Sequence, residues 1–180
     1  RTERVLVEEH HHYEMDCTNA VWASDEMHSV YHKCGLPGVL CDADFVVETN
    51  DFILLVEYKN ASIPEAVGHA TEDQEYNPFE DRKFDKIVRK FYDSLHYLRL
   101  EKKEKPIQYI FVLEYPKGDA VSRKLLRNRL KKRLPFKLQE QFDKGVELIA
   151  AVDVVNIDEW NSNNLYGQFP IRPVHQTIAG

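Results

Sequence analysis

The chain has 180 residues, 43% hydrophobic and 30% charged, enough to bury a core of ordinary domain size and too many for a disulfide-stapled miniprotein. No apolar run approaches the roughly 18 residues of a membrane span, and the composition is not that of a disordered chain. The net charge of −6 is divided unevenly, with 4 Lys and Arg against 17 Asp and Glu over residues 1–80 and 20 against 13 over 81–180; this excludes a protein that coats nucleic acid indiscriminately and permits a local basic groove.

The chain opens Arg1-Thr2-Glu3-Arg4, without an initiator Met or the apolar core of a signal peptide, which points to an excised domain or trimmed chain and to the cytoplasm. Residues 4–13 read as a strand, in which His10 and His12 share a face and His11 does not. A polar surface segment is the plainer reading of these histidines. Cys17, Cys34 and Cys41 are odd in number and hold no C-x-x-C pair, so neither a disulfide framework nor a four-thiolate site is built, and reduced, buried thiols are expected.

From Asn19 to Lys33, Ala20, Trp22, Ala23, Met27, Val30 and Tyr31 recur at three- and four-residue spacing, predicting a helix that the turn Cys34–Gly38 ends. Val39 to Glu48 and Phe52 to Lys59 read as two strands of a hairpin joined through Thr49-Asn50-Asp51. Ser62 and Pro64 open a short helical piece, followed by a polar loop through Pro78.

Phe84, Ile87, Val88, Phe91, Leu95 and Leu98 make one stripe of a helix over 82–100, which must pack on a sheet. Lys102, Lys103 and Lys105 read as a plain turn. Ile107 to Tyr115 is a central strand, Ala120 to Leu134 a basic amphipathic helix stopped by Pro135, and Leu148 to Val155 another buried strand. No repeat or flexible linker divides the chain, so 1–180 reads as one α/β domain with a central mixed sheet flanked by helices. Trp22 and Trp160 read as core or rim aromatics; Tyr76 and Phe79 lie where they could stack on an unpaired base.

The hairpin carries the chemistry. With Asn50-Asp51 as a two-residue turn, Thr49 faces Phe52, Asp44 lies across from Glu57, and Asp42 lies across from Lys59. Opposed carboxylates repel unless a cation sits between them, and oxygen donors of this kind suit Mg²⁺ or Mn²⁺ rather than zinc. The backbone carbonyl of Tyr58 can complete the shell. Lys59 shares the face of Glu57, where an ammonium can hold or help deprotonate water, or neutralise charge on a phosphate oxygen. A three-residue turn would shift the register but leave Glu57 and Lys59 on one face.

Asp44, a gap of twelve residues, then Glu57-Tyr58-Lys59 closing a hydrophobic strand resembles the core signature of the PD-(D/E)XK nuclease superfamily, which includes restriction endonucleases, resolvases, RecB-like nucleases and cap-snatching endonucleases. The resemblance covers residues 38–60 closely and the rest only in topology; Ala43 stands where the motif's proline would be, a proline many members lack. It implies a restriction-endonuclease-like core of αβββαβ type and cleavage of phosphodiester bonds, DNA before RNA, by water activated by Mg²⁺ or Mn²⁺. Asp44 and Glu57 would be ligands and Lys59 the catalytic lysine. It further implies a residue from the first helix, for which Glu26 is chosen over His28, Glu14 and His32, and a basic residue from the second long helix, Lys86 or Lys90.

Arg123, Arg127 and Lys131 recur every four residues and form one ridge that can track a phosphate backbone, with Val121, Leu125 and Leu126 anchoring the helix; a solvated basic face is the alternative. Nucleic acid is the expected partner and a membrane is not. A homodimer, or a place in a larger protein, stays open. Two other classes compete: a catalytically silent nuclease fold that binds nucleic acid or a protein, and a metallohydrolase using His10 and His12, for which no H-E-x-x-H signature exists.

Overall fold

The computed structural model describes residues 4–63 and 75–174. Its centre is a five-stranded mixed sheet in the order β3-β4-β5-β6-β7, formed by Trp22–Ser24, Phe45–Glu48, Ile53–Asn60, Ile107–Glu114 and Ile149–Val155. The first three strands run antiparallel and β5, β6 and β7 parallel. A separate three-stranded sheet, β1-β2-β8, joins Val5–Val7 and Tyr13–Asp16 to Ile171–Pro173.

Burial on both faces explains why β5 and β6 are nearly continuous apolar runs. On one face α1 (Met27–Lys33), α2 (Asp81–Leu100) and α3 (Ala120–Arg133) pack through Met27, Phe84, Phe91 and Leu126 against Leu55, Tyr109 and Phe111. The short α4 (Phe136–Glu140) follows α3. The other face meets the small sheet and α5 (Ile157–Ser162) through Leu6, Met15 and Trp160. Trp160 is fully buried and its indole N–H donates to the Phe169 carbonyl at 2.8 Å.

Several sequence expectations change. The helix expected from Asn19 is a strand up to Ser24 and a helix only from Met27. Trp22 and Ala23 pack on opposite faces of the sheet, as a strand allows, and pair with Glu48 and Val47. Among the described residues the main sheet therefore has β3 before α1 and two strands between α1 and α2, not the three of an αβββαβ order. Residues 4–13 form a strand and a tight turn: the Glu8 carboxylate accepts the N–H groups of His10 at 2.8 Å and His12 at 2.5 Å, and His11 takes a positive φ of 59°. The piece expected at Pro64 lies outside the described residues.

Lys103 and Lys105 are more than a turn. They reach the buried Glu48 at 2.7 and 2.9 Å, and Lys103 lies 4.6 Å from the Trp22 ring centroid. Cys17 is buried, but Cys34 is exposed, against the expectation of buried thiols.

The basic ridge on α3 is also corrected. Arg123 is 8% exposed and ion-paired to Glu159, whereas Val121 and Leu125 are 67% and 57% exposed. Lys131 lies over the Phe136 ring at 5.4 Å, and Arg127 donates to Asn128. The helix therefore turns Arg123 toward α5 and anchors through Leu126 and Leu130.

Candidate functional site

The β4–β5 hairpin has the expected register, with Phe45 opposite Val56 and Glu48 opposite Ile53, closed by a Thr49 N–H bond to the Phe52 carbonyl at 2.8 Å. Regular pairing stops at Phe45 because the preceding backbone bonds elsewhere: Cys41 N–H goes to Asp93 Oδ2 at 2.8 Å and Ala43 N–H to Ser94 Oγ at 3.3 Å, both on α2. This is why the strand expected from Val39 is short. It also fixes Asp44, whose N–H donates to the Val56 carbonyl at 3.1 Å and whose Oδ2 accepts the Tyr58 N–H at 2.7 Å.

Asp44 and Glu57 thereby meet under α2. Glu57 is 5% exposed; its Oε1 accepts from the Lys90 ammonium, while its Oε2 is buried without a hydrogen-bond partner. Burial, then the Asp44 charge, push the Glu57 carboxyl up to about 8 against the pull of Lys90. Burial also raises Asp44, partly offset by Lys90 and the Tyr58 N–H. Burial lowers the Lys90 ammonium, but the Glu57 and Asp44 charges outweigh it and the net shift is upward.

A buried and a half-buried acid that resist ionising together, the buried one with an orphaned oxygen, are a donor set suited to a hard divalent cation. Among the described residues no three His, Cys, Asp or Glu side chains already form a metal shell, so water and backbone oxygen would supply the remaining ligands.

A cleft of about 340 Å³ opens over Asp44, with Asp42 and Lys59 from the hairpin, Asp25 and His28 at the start of α1, and Glu9 of the β1–β2 turn on its walls. Asp42 does not meet Lys59; its Oδ2 lies 3.0 Å from His28 Nδ1. Lys59 is exposed, its Nζ 5.2 Å from the Tyr76 ring centroid. Glu26 is the exposed N-cap of α1 and is not among the lining residues; Asp25 and His28 are. Glu14 pairs with Arg172 at 3.2 Å, and the His32 ring lies tilted against that of His28 with centroids 4.1 Å apart. Lys86 is exposed on α2. Lys90, expected at the nucleic acid, is instead at Glu57. Tyr76 and Phe79 both pack on the core rather than standing free for a base.

The pH dependence follows from Glu57. Its folded value of about 8 lies above its ordinary 4.5, so the metal-free fold holds a proton the unfolded chain gives up. Its contribution to stability is therefore full below pH 4.5 and lost as pH rises toward 8. In EDTA we expect the free energy of unfolding to fall by up to about 1.4 kcal/mol per pH unit in that window. Urea titrations across pH check this; Glu57→Gln should be flatter, and an equal slope in both proteins would assign the dependence elsewhere.

No family model, curated protein or solved structure matches the chain. The architecture itself is mixed α/β, a five-stranded mixed sheet flanked by helices, with buried Glu57 and half-buried Asp44 where its central hairpin opens.

Proposed function

We propose that this protein is a Mg²⁺- or Mn²⁺-dependent nuclease with a restriction-endonuclease-like core of the PD-(D/E)XK type, hydrolysing phosphodiester bonds of nucleic acid, with DNA favoured. One observation carries this reading: the partnerless Oε2 of Glu57, buried beside Asp44 at the end of a register-matched hairpin. A divalent ion, when bound, polarises the phosphoryl oxygen and makes water a nucleophile at neutral pH. Asp44 and Glu57 would hold it, with the Tyr58 carbonyl. Lys59, free of any carboxylate partner among the described residues, reaches the phosphate from the cleft wall. Three unpaired cysteines favour the cytoplasm, and no helix among the described residues is long and apolar enough to cross a membrane.

The Lys90–Glu57 pair favours a second reading, a silent nuclease-fold module, because an internal cation already compensates the acids. Metal titration separates the two. For the nuclease, millimolar Mn²⁺ raises the melting temperature of the wild type by mass action and leaves Asp44→Ala unmoved. Equal behaviour of both proteins would remove Asp44 from the site.

A further inference from the structure

We propose that this site takes a single strand of nucleic acid, entering along the lysine stripe of α2, and that the carboxylates lining the cleft turn a duplex away. The inference rests on the nuclease reading above and adds the substrate class. Lys83, Lys86 and Lys90 stand at i, i+3 and i+7 on α2 and so share one side of the helix. Lys90 ends the stripe at Glu57, and the other two lead outward from the site.

Tyr76 joins this stripe to the cleft. The Lys83 Nζ lies 4.9 Å from its ring centroid and the Lys59 Nζ 5.2 Å from the same centroid. The ring is half-buried and set edge-on against Tyr115, so two ammonium groups are gathered around one aromatic side chain. Lys83 has Glu80 at 3.5 Å; neither Lys59 nor Lys86 has a carboxylate partner among the described residues. Like charges brought together in this way are stabilised by an anion between them, and a phosphate supplies it.

The cleft itself, which the α2 lysines do not line, has the opposite sign. Glu9, Asp25 and Asp42 line it with Asp44, and the only lysine on the lining is Lys59 among the described residues. A duplex carries two phosphate backbones; when one follows the lysines, the other meets these acids. A lone strand presents one backbone and avoids them.

The test is binding of fluorescein-labelled oligo(dT) and oligo(U), and of oligo(dT) annealed to its complement, at several salt concentrations in Ca²⁺ to suppress turnover. The wild type should bind either single strand more tightly than the duplex. In Lys83→Glu/Lys86→Glu the slope of log affinity against log salt for oligo(dT) should flatten by about 1.4, about 0.7 for each single-strand phosphate that the protein no longer neutralises. Lys83→Ala/Lys86→Ala, which adds no new charge, should flatten in the same direction, and Lys124→Glu/Lys132→Glu on α3 should not. Glu9→Gln/Asp25→Asn should gain duplex binding. An unchanged slope in both Lys83/Lys86 variants, or duplex bound as tightly as single strand, overturns the proposal. Turnover is scored apart: cleavage in Mn²⁺ with an unchanged slope removes the track and leaves the nuclease, and a flattened slope without cleavage does the reverse.

Discussion

Lys59→Ala should lower cleavage in Mn²⁺ by well over about tenfold, more than roughly 1.4 kcal/mol of barrier, while the Mn²⁺-induced rise in melting temperature stays. The separation follows from position. Lys59 is exposed on the cleft wall with its ammonium near Tyr76, and the Glu57 carboxylate is already engaged by Lys90. Removing Lys59 therefore strips a charge from the phosphate's approach without touching the acids. Lys59→Arg should recover part of the rate. Turnover within about tenfold of the wild type would make Lys59 a surface lysine.

The largest effect on stability should come from Lys90→Met. Its side chain is 17% exposed and that of Glu57 7%, so the ammonium is the nearby cation that compensates a buried acid. Breaking such a pair from one side costs about 3–5 kcal/mol when the orphaned charge must stay charged. Here Glu57 has an escape: it can take up a proton, and without the pull of Lys90 it holds that proton past its wild-type value of about 8. The loss should therefore be small at acidic pH, grow as pH rises through that value, and be reversed by Mn²⁺. Denaturant unfolding of both proteins in EDTA, at pH on either side of that value, measures it. A loss independent of both pH and Mn²⁺ would mean that Lys90 acts through packing alone.

Much of the fold is legible in the residue pattern alone. The apolar runs of β5 and β6 and the stripe of α2 are long, strongly patterned segments whose local preference and burial agree. The two-residue turn after Thr49 sets the hairpin register, and register sets Asp44 beside Glu57. Other features depend on partners far along the chain. Trp22–Ser24 has helical spacing, but pairing with β4 overrides it. Nothing in the spacing of α2 says that Lys90 meets Glu57, thirty-three residues earlier. Arg123 looks like part of a basic ridge until Glu159, thirty-six residues later, draws it inward. The small sheet leaves little trace in the pattern because its strands are three or four residues long and its last member lies near the far end of the chain.

The most direct measurement is cleavage of circular single-stranded DNA, plasmid and RNA by the purified protein, in Mn²⁺ and in EDTA, beside Asp44→Asn and Glu57→Gln. A nuclease built on this carboxylate pair degrades nucleic acid in Mn²⁺, stops in EDTA, and loses activity in either variant while both remain folded. Cleavage that survives EDTA or either substitution, or a wild type inert toward all three substrates in Mn²⁺, would contradict it.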